Sequence, residues 1–279
     1  MDLGCQPSRS FLFELTEIEE KHTTIEGRTW RNYFPNGDLW VFGYGSLIWK
    51  PPPHYDQRVP GYISGYVRRF WQVGMRTDHR GTTENPGRVV TVIEREFWET
   101  LDDPLAHLEV PSSLSKAAVW GAAYHIPASH AEEVHDYLDD REIDGYTVHY
   151  TPFYPTPTAT TSKADTPTTP ITCMVYIGLP TNPQFLREPA RREPQDVAEV
   201  ISGSCGQSGR NAEYLYLLEK ALDGLGLGSA DVHVTDLVGR VKAIEKEAAK
   251  ADEEEAEKDL TRSLSISDAE AHEDFPRTE

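Results

Sequence analysis

Between Leu39 and Gly178 the chain carries short runs rich in β-branched and aromatic residues, and from Pro194 onward the apolar positions change to helical spacing. That change of period constrains the fold more than any other feature, because period 2 and period 3.6 bury different faces. The strand-like runs are Leu39–Gly43, Val59–Val73, Arg88–Glu94, Ala118–Ile126, Tyr146–Tyr154 and Ile171–Gly178. Two glycines inside Val59–Val73 predict bends or bulges. A first helix is expected after Ser129, which with Glu132 forms a capping box, and Ala131, Val134 and Leu138 supply its apolar stripe. Pro194, Asn211 and Asp231 each stand at the start of a further helix, with stripes such as Leu215, Leu218 and Leu222 behind them. The class is mixed, α+β.

The ends differ from this core. Residues 1–37 are polar and irregular and read as an N-terminal extension. Residues 246–279 are rich in Ala, Glu and Lys, so the last helix should continue briefly and then give way to a disordered acidic tail. The main domain is expected over 38–245. Two stretches within it look like inserted loops: 97–116, which is acidic, and 155–170, which is Thr/Pro-rich and of low complexity.

The whole chain has a formal net charge of −19. Residues 247–279 hold twelve acids and four bases, and residues 1–37 hold six and four, which leaves −9 for 38–246. That balance argues against nucleic acid or a membrane surface as partner. No apolar run approaches the roughly 20 residues needed to span a bilayer. Cys5, Cys173 and Cys205 cannot all pair within the chain, and no Cys/His group has zinc spacing. A reducing compartment, the cytoplasm, is expected, and no metal is assigned.

Four stretches can carry chemistry. In Val41–Trp49 a strand runs into Gly43-Tyr44-Gly45-Ser46, where glycines allow backbone N–H groups to converge on an anion. An ordinary tight turn is equally open there. In Tyr137–Tyr146, Glu142 falls near a helix C-terminus among Asp139, Asp140 and Asp144. The dipole and the like charges both favour a proton-accepting carboxyl, whereas Arg141 opposes this if it pairs. A solvated acidic helix end remains the plainer alternative. Gly206–Tyr214 places a polar turn at a helix start, with Asn211 and Tyr214 read either as ligand contacts or as cap and packing. Arg69, on a strand, faces either a substrate carboxylate or a surface ion pair.

Taken in order, VFGYGSLIWKP (41–51), GYVRRFWQ (65–72), TDHRGTTENPGRVVTVIE (77–94), VWGAAYHIP (119–127), YLDDREIDGY (137–146), VYIGLPTNP (175–183) and SGRNAEYLYLL (208–218) resemble the ChaC family of γ-glutamylcyclotransferases, in its glutathione-specific branch. The resemblance implies a γ-glutamylcyclotransferase-like fold, a small, partly closed β-barrel with packed helices. It implies cleavage of glutathione to 5-oxoproline and cysteinylglycine without metal or cofactor. It assigns substrate binding to Tyr44, Gly45, Ser46 and Leu47 and the base to Glu142. Glu133, Arg69, Tyr146, Asn211 and Tyr214 are further candidates. Two alternatives stay open: a cyclotransferase for other γ-glutamyl amino acids or amines, and a non-catalytic interaction protein of the same fold.

Overall fold

The computed structural model describes residues 29–74, 80–109, 118–142, 145–157, 169–227 and 231–272, with side chains up to 258. The chain divides into two compact units, Met1–Gly37 and Asp38–Glu279. Of the first, the described part holds a 3-10 turn, Thr29–Asn32. Residues 1–28 of the expected extension lie outside the described residues, as does 158–168 of the Thr/Pro-rich stretch.

The second unit is built on a closed five-stranded barrel. Its strands are β1 (Leu39–Gly43), β2 (Gln57–Ser64), β5 (Ala118–Ile126), β6 (Thr147–Pro155) and β7 (Ile171–Ile177), in the order β1-β5-β2-β6-β7. Neighbours pair antiparallel, with Leu39 opposite Ile126, Gln57 opposite His125 and Thr147 opposite Ile177. A parallel contact of Val41 with Met174 closes the ring, so the barrel is closed rather than partly closed. Closure leaves no exposed edge within the ring, which fits strands this short. Val41, Ile63, Tyr124, Phe153 and Met174 are all fully buried.

The run Val59–Val73 is two strands. Gly65, at φ +89°, breaks it, and β3 (Tyr66–Gly74) pairs with β4 (Gly87–Glu94) as a separate ribbon. The break at Gly65 is the bend that the glycines suggested; a separate register shift lies between Arg69 and Gln72. Val67, Trp71, Val73 and Ile93 of the ribbon pack with Trp98, Phe185 and Leu186. Trp98 ends a one-turn helix, α1 (Arg95–Trp98), and its Nε1 donates to Asp103 at 2.8 Å. The described part of the 97–116 stretch is therefore pinned to the ribbon.

Four longer helices follow the expected apolar stripes: α2 (Ala131–Arg141), α3 (Pro194–Gly203), α4 (Asn211–Asp223) and α5 (Val232–His272). Pro194 opens α3, and Asp231 caps α5 by accepting from Val234 N–H at 3.1 Å. Asp231 also pairs with the buried Arg68 at 2.7 Å, which fastens α5 to β3. The other two caps differ from expectation. His130 precedes α2 without a side-chain cap, and Asn211 lies inside α4, where its amide bonds to Arg88 instead. Helix α5 runs to His272, well beyond the brief continuation expected. Ala, Glu and Lys are strong helix formers, and spaced pairs such as Glu254–Lys258 support the extension.

Candidate active site

The turn after β1 forms one wall of the site. Ser46–Ile48 is a single 3-10 turn, closed by Ile48 N–H to Gly45 O at 3.0 Å and Trp49 N–H to Ser46 O at 3.2 Å. As opening residues of a helical turn, Ser46 and Leu47 have no acceptor for their N–H groups within it. Gly45 sits at φ −127°, so it is not needed for a left-handed backbone. Space requires it: a Cβ there would stand 2.8 Å from Val90 Cγ1 and 3.3 Å from the Tyr214 hydroxyl.

Helix α2 supplies the second wall. Glu142 follows its last residue and donates its N–H to Leu138 O at 2.9 Å. Arg141 pairs with Glu142 at 3.3 Å, each side chain 18% exposed. The same guanidinium donates to Ser46 Oγ and to Lys50 O, both at 3.0 Å. Arg141 thus ties the helix end to the glycine turn and holds positive charge beside the carboxylate. Gly145, just beyond the helix end, has a φ of +82°, which favours glycine.

A cavity of about 350 Å³ opens between these walls, lined by Ser46, Arg80, Arg141, Glu142, Tyr146 and Tyr214 among others. A smaller recess of about 40 Å³ adjoins it, lined by Tyr44, Gly45, Ser46, Leu47, Glu142 and Tyr176 among others. The larger volume lies within the usual range for a small-molecule site of roughly 300–1,000 Å³. Tyrosines surround the carboxylate. Tyr44 donates to Tyr176 O at 2.8 Å, Tyr146 to Val90 O at 2.9 Å and Tyr176 to Asp139 at 2.7 Å. Burial, with the Glu142 charge adding to it, pushes the Tyr44 and Tyr214 phenols far above their usual range. Burial and the Asp139 hydrogen bond do the same for Tyr176. These hydroxyls therefore stay protonated near neutral pH.

Helix α4 places Tyr214 through Asn211. The buried Asn211 amide accepts from Arg88 N–H at 2.7 Å and donates to Arg88 O at 2.8 Å, which locks the helix onto β4. Tyr214, one turn on, then meets Trp49 edge-on at 5.4 Å and lies under Arg80, 5.7 Å from its guanidinium. Asn211 positions the wall and is not among the residues lining either cavity.

Of the expected residues, Tyr44, Gly45, Ser46, Leu47, Glu142, Tyr146 and Tyr214 line the two cavities. Two others do not. Arg69 is fully buried, pairs with Asp103 at 2.7 Å and Glu109 at 2.8 Å, and stacks on Trp98. With its charge already neutralised by two carboxylates, it holds the 97–109 segment to the ribbon rather than a ligand. Glu133 precedes Glu142 by about two and a half helical turns, which turns it to the opposite face of α2; it meets His54 and His130 instead. Arg80 and Tyr176 also line the cavities, although neither is among the expected site residues. Tyr176 lies in a β-run whose pattern signals only burial, and Arg80 lies between short polar stretches without a period.

A family model described as ChaC-like protein matches residues 39–244. A glutathione-specific gamma-glutamylcyclotransferase of Schizosaccharomyces pombe is 44% identical over 213 residues, covering 75% of this chain and 94% of that protein. Gamma-glutamylcyclotransferase 2-3 of Arabidopsis thaliana is 39% identical over 220 residues, covering 77% and 94%. Among solved structures, a gamma-glutamyl cyclotransferase specific to glutathione from yeast matches with a TM-score of 0.64 at 35% identity, covering 74% of this chain and 96% of that one.

Proposed function

The chain belongs to the ChaC-like family, and we propose that it is a glutathione-specific γ-glutamylcyclotransferase, a carbon–nitrogen lyase that converts reduced glutathione to 5-oxoproline and L-cysteinylglycine. The observation that carries this reading is the meeting of Glu142 with the Tyr44–Leu47 turn around one recess.

The γ-glutamyl α-amine must lose a proton before it is nucleophilic, and Glu142 accepts that proton. The amine then attacks the γ-carbonyl carbon of the same residue and closes a five-membered ring. Nucleophile and electrophile are already tethered, so the protein's work is to curl the substrate into a near-attack shape. The recess beside Gly45 would take one end of the folded γ-glutamyl group, and the adjoining larger cavity leaves room for the rest of the substrate. Charge grows on the carbonyl oxygen during attack, and the N–H groups opening the 3-10 turn are suited to hold it or the α-carboxylate. The bond to the cysteine nitrogen then breaks as Glu142 returns its proton to that nitrogen, and the ring nitrogen gives up its second proton to the freed amine or to water, leaving the neutral lactam. Arg141 keeps the carboxylate at the turn throughout. No covalent enzyme intermediate is needed.

We place this activity in glutathione catabolism in the cytoplasm, where the glutathione pool keeps thiols reduced. Cys173 and Cys205 are free thiols, and no helix among the described residues is long and apolar enough to cross a membrane. The test is incubation of the purified chain with reduced glutathione. Equal amounts of 5-oxoproline and cysteinylglycine are expected. Faster turnover of γ-glutamylalanine would overturn the substrate, and absence of 5-oxoproline would overturn the reaction.

A further inference from the structure

Away from the cavity, three side chains of metal-ligating type converge: His54, His130 and Glu133. His54 lies in the segment between the 3-10 turn and β2, His130 immediately precedes α2, and Glu133 is in the first turn of α2. The two imidazoles stack, with centroids 4.2 Å apart and planes 6° from parallel. Each turns one nitrogen to the same carboxylate: His54 Nε2 stands 3.4 Å from Glu133 Oε1, and His130 Nδ1 stands 3.4 Å from Glu133 Oε2.

Those distances are long for direct hydrogen bonds, whose usual N···O separation is about 2.9–3.0 Å. They run to different oxygens of the carboxylate, one per imidazole. Ligands held about 2.1 Å from a zinc ion at tetrahedral angles are separated by about 3.4 Å, so small side-chain rotations are needed to bring one carboxylate oxygen and both ring nitrogens onto one ion. The three donor atoms all lie within 4.8 Å of one another, and the two rings must turn out of their parallel stack for both in-plane lone pairs to meet at one ion, a turn that their partial exposure allows. His54 also holds a left-handed backbone, φ +57°, the one such non-glycine residue among those described. That conformation is uncommon outside glycine and tends to persist where its surroundings use it.

We propose that His54, His130 and Glu133 form a divalent transition-metal site of the zinc class, with a fourth position open to water. Two imidazoles and one carboxylate suit zinc better than calcium or magnesium, which favour all-oxygen shells. The site is separate from the base. Glu142 lies at the other end of α2, about 14 Å along the helix axis at 1.5 Å per residue. The bound ion would clip the segment carrying His54 onto the start of α2. Trp49, Lys50 and Pro51, earlier in that segment, wall the cavity, so the clip would stiffen one side of the pocket without touching substrate.

The experiment titrates zinc chloride into the metal-stripped full chain by calorimetry, beside the double variant His54→Ala/His130→Ala, with circular dichroism to confirm that both are folded. One zinc per chain is expected, with at least a tenfold weaker affinity in the variant. Zinc should raise the thermal midpoint of the parent chain and not that of the variant. Cobalt(II) in place of zinc should give the visible absorption of a four-coordinate ion in the parent alone. Equal affinity in both proteins would assign binding to other groups, such as the exposed Cys205, and overturn the proposal. Absence of binding to the parent chain would overturn it as well. Should the variant not fold, Glu133→Gln replaces it, with the same outcomes.

Discussion

Arg141 Nη2 donates to Ser46 Oγ at 3.0 Å, which joins the end of helix α2 to the turn after β1. The two residues come from segments far apart in the chain, yet this contact holds the proposed base against the proposed binding turn. Replacing Arg141 with Met removes the contacts to Ser46, Lys50 and Glu142 together. Charge-assisted hydrogen bonds contribute about 1.5–3 kcal/mol, so kcat/KM should fall roughly 10- to 100-fold. Steady-state kinetics on reduced glutathione checks this, and an unchanged kcat/KM would remove Arg141 from its positioning role.

Glu142→Gln keeps the shape of the side chain and removes its ability to accept a proton. Turnover should drop by about 10²–10⁴-fold, the usual contribution of a general base. Unfolding midpoints should stay close to the parent's. Near-normal 5-oxoproline release from this variant would contradict the assignment.

Gly45→Val should abolish binding of a γ-glutamyl ligand. The reason is contact, since an added Cβ would meet Val90 Cγ1 at 2.8 Å and a branched side chain fills the recess further. Gly45→Ala should retain part of the affinity, because only one atom must be accommodated. Calorimetric titration with a γ-glutamyl analogue that does not turn over distinguishes the two variants.

Arg69→Met should damage stability rather than catalysis. Arg69 and Asp103 side chains are 1% and 2% exposed. Removing one partner of a buried pair and leaving the other charged costs about 3–5 kcal/mol. Urea unfolding should show a loss of that size, while the folded fraction keeps its KM. A raised KM at unchanged stability would return Arg69 to the substrate.

His233 is buried and accepts a hydrogen bond from Phe70 N–H at 3.0 Å. Burial, and then the charges of Arg69 and Arg68, hold its imidazole well below its usual range. The folded state therefore prefers neutral His233, whereas the unfolded chain takes up a proton below about pH 6.5. Its contribution is complete above that value and declines as pH falls towards the depressed folded value. The slope from this one group is at most about 1.4 kcal/mol per pH unit. Urea midpoints measured from pH 7.5 to 5 should fall in the parent, and less steeply in His233→Gln, whose amide oxygen can still accept from Phe70.

Much of this molecule is legible in local pattern. β1 and β5 fall where their β-branched runs lie, and the stripes of α3, α4 and α5 face inward at their expected spacing. Glycine spacing and an acidic helix end are visible locally around Tyr44–Leu47 and Glu142, but they do not by themselves separate a site from an ordinary turn or a solvated helix end; the ordered series of motifs does. The caps were less legible. Asn211 has the side chain of a helix cap, but a buried backbone pair on Arg88 was the stronger partner once β4 lay beside it. Arg69 likewise has no local feature that separates a ligand contact from an internal ion pair.

The sequence by itself determined the class of the fold, the order of its elements and the residue types available for chemistry, because hydrophobic period and turn composition act over a few residues. Only the tertiary structure decided that the barrel closes, that Arg141 reaches Ser46, that Arg69 turns to Asp103 and that His54 meets His130. Those outcomes depend on which distant segments share buried space. Burial, by leaving each polar group to pair or to be desolvated, selects the partners that spacing along the chain does not reveal.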